Sequence, residues 1–193
     1  DFIKNCFEKL KKIKNAGCVG GVTHHNASGT IGEIINIAQT SIFGVGRVSF
    51  RKSIKKGVFV DTLAFGAYRK EVFQRLGGYD CELVRNQDDE FNFRLLQAGY
   101  KIWLDPSINS TYYPRSSLKK LFMQYFQYGF YKVRVFQKRG GIAAWRHLIP
   151  SVFIFSLLFS IIGLPILPFL FYLTLGLYFL ASFFSTIILS ITL

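Results

Sequence analysis

The chain has 193 residues, with 24 Lys+Arg against 11 Asp+Glu and a formal net charge of +13. That length holds one domain with a sizeable core, or a domain with a membrane anchor. The charge points to polyanionic partners (nucleic acid, anionic lipid or phosphorylated small molecules) and away from cationic ones.

Phe2, Ile3, Cys6, Phe7, Leu10 and Ile13 recur at helical spacing with lysines between them. This predicts an amphipathic helix over residues 1–14, with Gly17 suited to its stop. "CVGGV" reads as a short buried strand, and His24-His25 as a polar loop with too few neighbouring ligands for a metal site. Residues 26–57 are rich in Gly, Ser and Lys and read as loop-like, with "FGVGR" and "RKSIKKG" as punctuation. The lone Gly-x-Gly of "FGVGR" is too weak a signal for a phosphate cradle. "VFVDTLAFGAY" alternates too little for a surface strand and predicts a buried one. "RKEVFQRL" is a helix stopped by Gly77-Gly78. A helix bearing an acid cluster follows, then the strand "KIWL", a turn at Asp105-Pro106 and the strand "STYY". The whole is a mixed α/β pattern without internal repeats. Cys6, Cys18 and Cys81 are an odd number at no metal-like spacing, and read as reduced thiols used in packing.

A basic helix is predicted over residues 116–138. Leu118, Leu121, Phe122, Tyr125, Phe126 and Gly129 fall on one face, while Lys119, Lys120, Lys132 and Arg134 lie off it. That is the pattern of an interfacial helix. Arg146 is the last charged residue, and Leu148 to Leu193 carries no charge. A spanning helix needs about 20 apolar residues. The tail therefore predicts two spans near 148–164 and 168–190, parted by Gly163, Pro165 and Pro168; one kinked helix or a buried core pair are the alternatives. All basic residues precede the spans, which puts the polar part in the cytoplasm. Residue 1 is not Met and falls directly on an amphipathic helix, so the chain is expected to begin inside a domain, with earlier strands absent.

The acid cluster lies in "NQDDEFNFRL", residues 86–95. Asn86 suits an N-cap, Asp89 the reciprocal position of a capping box, and the first turn favours negative charge. Glu90 and Arg94 are four apart and correctly ordered for a pair. Every acid thus has a structural account. The functional account is a carboxylate at a helix start that faces a pocket and acts as a general base on a sugar hydroxyl. Helix dipole and cations lower its pKa, whereas burial and neighbouring acids raise it.

"FGAYRKEVFQRLGGYD" with "NQDDEFNFRLLQAGYKIWLDP" resembles the second half of a family 2 glycosyltransferase catalytic domain. The pattern is a glycine in a strand, a basic pair, a Gly-Gly-aromatic-Asp turn, an acidic motif and an arginine one turn on. Here these are Gly66, Arg69-Lys70, Gly77-Gly78-Tyr79-Asp80, Gln87-Asp88-Asp89-Glu90 and Arg94. "STYYPRSSLKKLFMQYFQYGFYKVRVFQKRG" with "RHLIP" is similar to the succinoglycan-biosynthesis type. The resemblance covers nearly the whole chain. It implies the C-terminal half of a GT-A, Rossmann-like sandwich over 1–114, a basic interfacial helix and linker over 115–146, and a transmembrane region over 147–193.

It further implies Asp88 as the catalytic base, with Gly66, Ala67, Gln87, Asp89, Gln124, Gln127 and Tyr128 against substrate. Gln87 departs from the family's usual glutamate. Gln124, Gln127 and Tyr128 lack the Arg-Trp of the polymerising members' motif, which argues against processive synthesis. A divalent cation, Mg or Mn, is implied on the nucleotide diphosphate. Its Asp-x-Asp ligands are expected upstream of residue 1, so that this fragment holds no metal site and is inactive alone. The implied activity is inverting transfer from a nucleotide sugar to a lipid-linked or polysaccharide acceptor, at the inner membrane, in bacterial exopolysaccharide or cell-envelope glycan synthesis. Two other classes fit the composition: a membrane-tethered nucleic-acid binder, against which the basic residues are scattered, and a non-catalytic membrane scaffold.

Overall fold

The computed structural model describes residues 1–41, 44, 54–140 and 148–192. The chain divides into two compact units, one of residues 1–40 and 47–141, the other of 41–46 and 142–193. In the first unit the helices are α1 (Phe2–Lys12), α2 (Gly29–Thr40), α3 (Lys70–Leu76), α4 (Gln87–Gln97) and α5 (Leu118–Arg139). Its strands are β1 (Ala16–His25), β2 (Val58–Val60), β3 (Ala67–Tyr68) and β4 (Lys101–Tyr112). The basic helix α5 belongs to this unit.

The strands form one mixed sheet in the order β2-β4-β1-β3. β1 and β4 run parallel through its centre, and β3 and β2 flank them antiparallel. Side chains alternate across a strand, and two apolar clusters use the two faces. Cys18, Leu63, Val72, Phe91, Leu95 and Ile102 pack beneath α3 and α4. Cys6, Ala16, Val19 and Ile108 pack with Phe2 and Leu10 of α1 and with Ile13 just beyond it. The register shift between Ala16 and Cys18 explains how two residues of equal parity reach opposite faces.

Several sequence expectations change here. α1 ends at Lys12, and Asn15 supplies the left-handed turn (φ 66°) expected of Gly17. Gly17 lies in β1 against Tyr100, whose Cβ would stand 2.9 Å from an added methyl. The loop expected over 26–57 contains α2; most of "FGVGR" and the first three residues of "RKSIKKG" lie outside the described residues. "VFVDTLAFGAY" is two short strands rather than one, and β2 is largely exposed because it forms a sheet edge. His24-His25 ends β1 rather than starting a loop, with His24 Nε2 2.8 Å from Asn109 Oδ1.

Asp105-Pro106 does not turn the chain. β4 continues past it through a bulge, with Gly21 opposite Asp105 and Val22 opposite Asn109. Proline is tolerated there because the bulged residues leave the ladder. Asp105 is 4% exposed and fixes the bulge. It accepts from Trp103 Nε1 (2.9 Å) and from the Ser107 hydroxyl (2.6 Å), and meets Lys9 Nζ at 2.9 Å.

In the second unit, α6 (Ile149–Ile162) and α7 (Pro168–Thr192) form a hairpin, with Phe153 stacked on Tyr178 at 5.0 Å. The two expected spans are unequal. Among the described residues, Pro168–Ile191 alone is long and apolar enough to cross a membrane. The 14 residues of α6 rise about 21 Å at 1.5 Å each, short of a hydrocarbon core of about 30 Å.

Candidate active site

The acids of α4 divide into different roles. Asn86 precedes the helix in the left-handed region (φ 62°), a conformation asparagine tolerates. Its side chain makes no cap bond; Nδ2 donates instead to the Tyr128 carbonyl of α5 at 3.0 Å. The expected capping box is therefore absent. Asp88 serves the first turn itself, accepting from the Asp89 N–H at 2.9 Å. As a whole residue Asp88 is exposed. Desolvation by the protein around it raises its pKa above the ordinary carboxylate value, the Asp89 charge adds to this, and Lys132 works against it.

Asp89 is held by α5. Lys132 Nζ lies 2.6 Å and an Arg139 nitrogen 3.3 Å from Asp89 Oδ2, and Arg139 also donates to the Asp89 carbonyl. Lys138 continues the clamp to Asp80 (2.5 Å) and Glu82 (2.7 Å). Lys132, expected at a membrane-facing surface, is thus turned toward α4. Of the apolar stripe of α5, Leu118, Phe122 and Phe126 are each more than half exposed.

Glu90 and Arg94 form the expected pair in two-pronged form, at 2.7 and 2.8 Å. The same guanidinium donates to the Leu76 carbonyl (2.6 Å) and the Gly78 carbonyl (2.9 Å). One arginine therefore ties α4 to the C-terminal end of α3 and to the Gly-Gly turn.

Behind Asp88, one helical turn on, Asn92 is fully buried. Its amide accepts from the Tyr68 hydroxyl (2.8 Å) and donates to Thr62 (3.1 Å) and the Leu63 carbonyl (3.3 Å). Tyr68 belongs to an aromatic group with Phe73, Tyr79 and Phe91, in which Phe73 is stacked on Phe91 at 4.7 Å. Phe65 takes a left-handed conformation (φ 56°), uncommon for so large a residue, as the chain turns into β3. At Gly66 an added Cβ would stand 2.5 Å from Cys18 Sγ, so this position needs glycine for packing. Ala67 pairs with Val19 in the sheet.

On the other side, Arg85 Nε donates to Gln127 Oε1 at 3.0 Å. Gln124 Nε2 bonds the hydroxyls of Tyr128 (2.9 Å) and Tyr112 (3.3 Å). Gln127 and Tyr128 are thereby brought against Arg85 and Asn86, which lead into Gln87 and Asp88, and Gln124 joins them through Tyr128. Gly66 and Ala67 lie just before Tyr68, whose hydroxyl bonds Asn92. Sequence reasoning missed Tyr68, Arg85, Asn92, Lys132 in its inward role, and Arg139. Lys132 and Arg139 are seven apart on α5, a spacing that places both on one face and could have signalled the clamp. Among the described residues, no group of three or more His, Cys, Asp or Glu is placed to hold a metal ion. Asp89 and Glu90 are already engaged by cations, so these residues do not fit a divalent ion and no step below runs through one.

The chain is similar to curated proteins that build glycans. It is 33% identical over 168 residues to the dolichyl N-acetyl-alpha-D-glucosaminyl phosphate 3-beta-D-2,3-diacetamido-2,3-dideoxy-beta-D-glucuronosyltransferase of Methanococcus voltae, which covers 84% of this chain and 51% of that protein. It is 40% identical over 82 residues to a succinoglycan biosynthesis protein of Rhizobium meliloti, covering 42% of this chain and 25% of the other. Against an O-antigen chain rhamnosyltransferase of Salmonella anatum it is 28% identical over 132 residues, covering 62% and 41%. The chain thus spans about half the length, or less, of these relatives. No family model matches it, and no solved structure matches it significantly.

Proposed function

We propose that this chain is the acceptor-side part of a membrane-bound, inverting glycosyltransferase of GT-A type, with Asp88 as its general base. The observation that carries this reading is the contrast between neighbours. Asp89 is engaged by two cations, whereas Asp88 is an exposed residue with no cationic partner in contact among the described residues and a raised pKa. A carboxylate so placed takes the proton of an acceptor hydroxyl. The hydroxyl oxygen then bonds to the anomeric carbon, the bond from that carbon to the diphosphate breaks, and the nucleoside diphosphate leaves. Asn92 and the aromatic group hold the floor behind Asp88, and Gln124, Gln127 and Tyr128 face the acceptor.

A divalent cation on the donor would draw its ligands from outside these residues. The GT-A reading is supported by the mixed sheet with helices on both faces. Attachment to the cytoplasmic face of a membrane is supported by α7, by the exposed stripe of α5 and by cations that all precede α6. The Methanococcus relative's name describes transfer to a dolichyl glycosyl phosphate, and a lipid-linked acceptor is the corresponding reading here. The test is stereochemical: membranes holding the complete protein, fed an α-linked nucleotide sugar, should yield a β-glycoside by NMR. An α-linked product would rule out single inverting displacement.

A further inference from the structure

We infer that the basic pocket at the start of α5 is a phosphate subsite, which selects an acceptor carried on a phosphate ester over a phosphate-free polysaccharide. The acceptor's identity rests on the transferase reading above; the binding chemistry does not. The pocket has a volume of about 480 Å3 and is lined by Arg85, Arg115, Lys119, Lys120, Gln124 and Gln127, together with Met123. Among the described residues no carboxylate pairs with any of these four cations, whereas Lys132, Lys138 and Arg139 further along the same helix are all paired. Four like charges around one concavity repel unless an anion lies among them.

The surroundings favour a phosphate in particular. Lys119 and Lys120 stand in the first turn of a 22-residue helix whose N-cap, Ser117, makes no side-chain bond. The first N–H groups and the positive end of the helix dipole are therefore available to an anion. The bond from Arg85 Nε to Gln127 fixes that guanidinium and leaves its two terminal nitrogens for a ligand. Gln124 adds a second requirement. It is 7% exposed, and its Oε1 is buried without a hydrogen-bond partner. Turned over, the amide would leave its NH2 end in that place, since both tyrosine hydroxyls can donate as well as accept. A sugar hydroxyl, donor and acceptor at once, satisfies either arrangement. Phosphate next to hydroxyl is the chemistry of a glycosyl phosphate. The Arg85–Gln127 and Asn86–Tyr128 bonds hold the pocket against the segment leading into Asp88.

The test titrates the detergent-solubilised chain with inorganic pyrophosphate by calorimetry at low ionic strength. Saturable binding is expected, weakened at least about tenfold by Lys119→Gln with Lys120→Gln, both exposed and outside the core. Lys11→Gln with Lys12→Gln on α1 removes the same charge elsewhere and should leave binding within about twofold. Equal weakening by the two pairs would overturn the subsite in favour of diffuse charge attraction. A short-chain prenyl phosphate should displace pyrophosphate at lower concentration than UDP or phosphatidylglycerol vesicles do. Preference for UDP would make the pocket a donor site, and preference for the vesicles a headgroup site, and either overturns the proposal. Transfer assays separate this idea from the wider one. If the complete protein glycosylates a prenyl-phosphate-linked acceptor equally well with and without Lys119 and Lys120, the subsite fails and the transferase reading stands. Pocket-dependent pyrophosphate binding in a protein that transfers no sugar would support the subsite and remove the transferase reading.

Discussion

Lys132 of α5 meets Asp89, the immediate neighbour of Asp88, at 2.6 Å across 43 residues of sequence. The helix that offers an apolar stripe to one side therefore grips the start of α4 with its other. Lys132 also lowers the pKa of Asp88 against the larger effect of desolvation. In Lys132→Met that opposition is lost, so the Asp88 pKa rises further. A base works deprotonated, so the acid limb of the kcat/KM profile for transfer should move to higher pH. A limb that stays put, or moves down, would show that Lys132 does not act on the reacting carboxylate.

Arg94 joins three elements through Glu90, Leu76 and Gly78. Glu90 is 6% exposed, and an unpaired buried carboxylate is costly. Arg94→Leu should lower stability by about 3 kcal/mol. Arg94→Lys should recover less than half of that, because an ammonium cannot serve both carboxylate oxygens and two carbonyls in one plane. Thermal melts of the three proteins decide it.

Two glycines test the register of the central strands. A Cβ on Gly21 would stand 1.6 Å from the Ile108 carbonyl oxygen in the β4 bulge, while Gly78 has nothing within 4 Å. Gly21→Ala should cost about 3 kcal/mol or more, and Gly78→Ala less than about 0.5 kcal/mol. Similar melting temperatures for the two variants would contradict the pairing of Gly21 and Val22 across the bulge.

Asp105 gives the fold a pH dependence. Burial raises its pKa, but hydrogen bonds from Ser107, Lys9 and Trp103 outweigh this and bring it down to about 2. A carboxylate depressed on folding contributes stability that is fully present above its unfolded pKa of about 4. That contribution is lost as pH falls from there toward 2. Denaturant melts between pH 5 and pH 2 should show the loss in the parent and a flatter dependence in Asp105→Asn.

Much of the scaffold was readable from local pattern. The helical spacing in residues 2–13, "RKEVFQRL" and the acid-bearing segment each became a helix, because periodicity and glycine stops are local signals. α2 was hidden because Gly29 and Gly32 look like loop residues until Ile35 is seen to be buried. The split of "VFVDTLAFGAY" and the passage of β4 through Pro106 depend on which strand lies alongside, and so on partners far away in sequence. The same holds for the site. Glu90–Arg94, four residues apart, was legible; Lys132–Asp89 and Arg85–Gln127 were not, because nothing in either short stretch names its partner.

The most direct test of the account replaces the two neighbouring aspartates one at a time in the complete, membrane-held protein. Asp88→Asn keeps an oxygen to accept the Asp89 N–H but removes the base, so transfer should fall about a hundredfold or more while nucleotide-sugar binding persists. Asp89→Asn should instead loosen the hold of Lys132 and Arg139 and appear mainly as a loss of stability of about 1 to 3 kcal/mol. The deciding measurement is kcat for sugar transfer by Asp88→Asn, taken at matched folded fraction. A fall of that size in Asp88→Asn alone is the result the account predicts. Transfer at the parent rate, with only a mild loss of stability in both variants, would contradict it and make the acid cluster no more than the start of a helix.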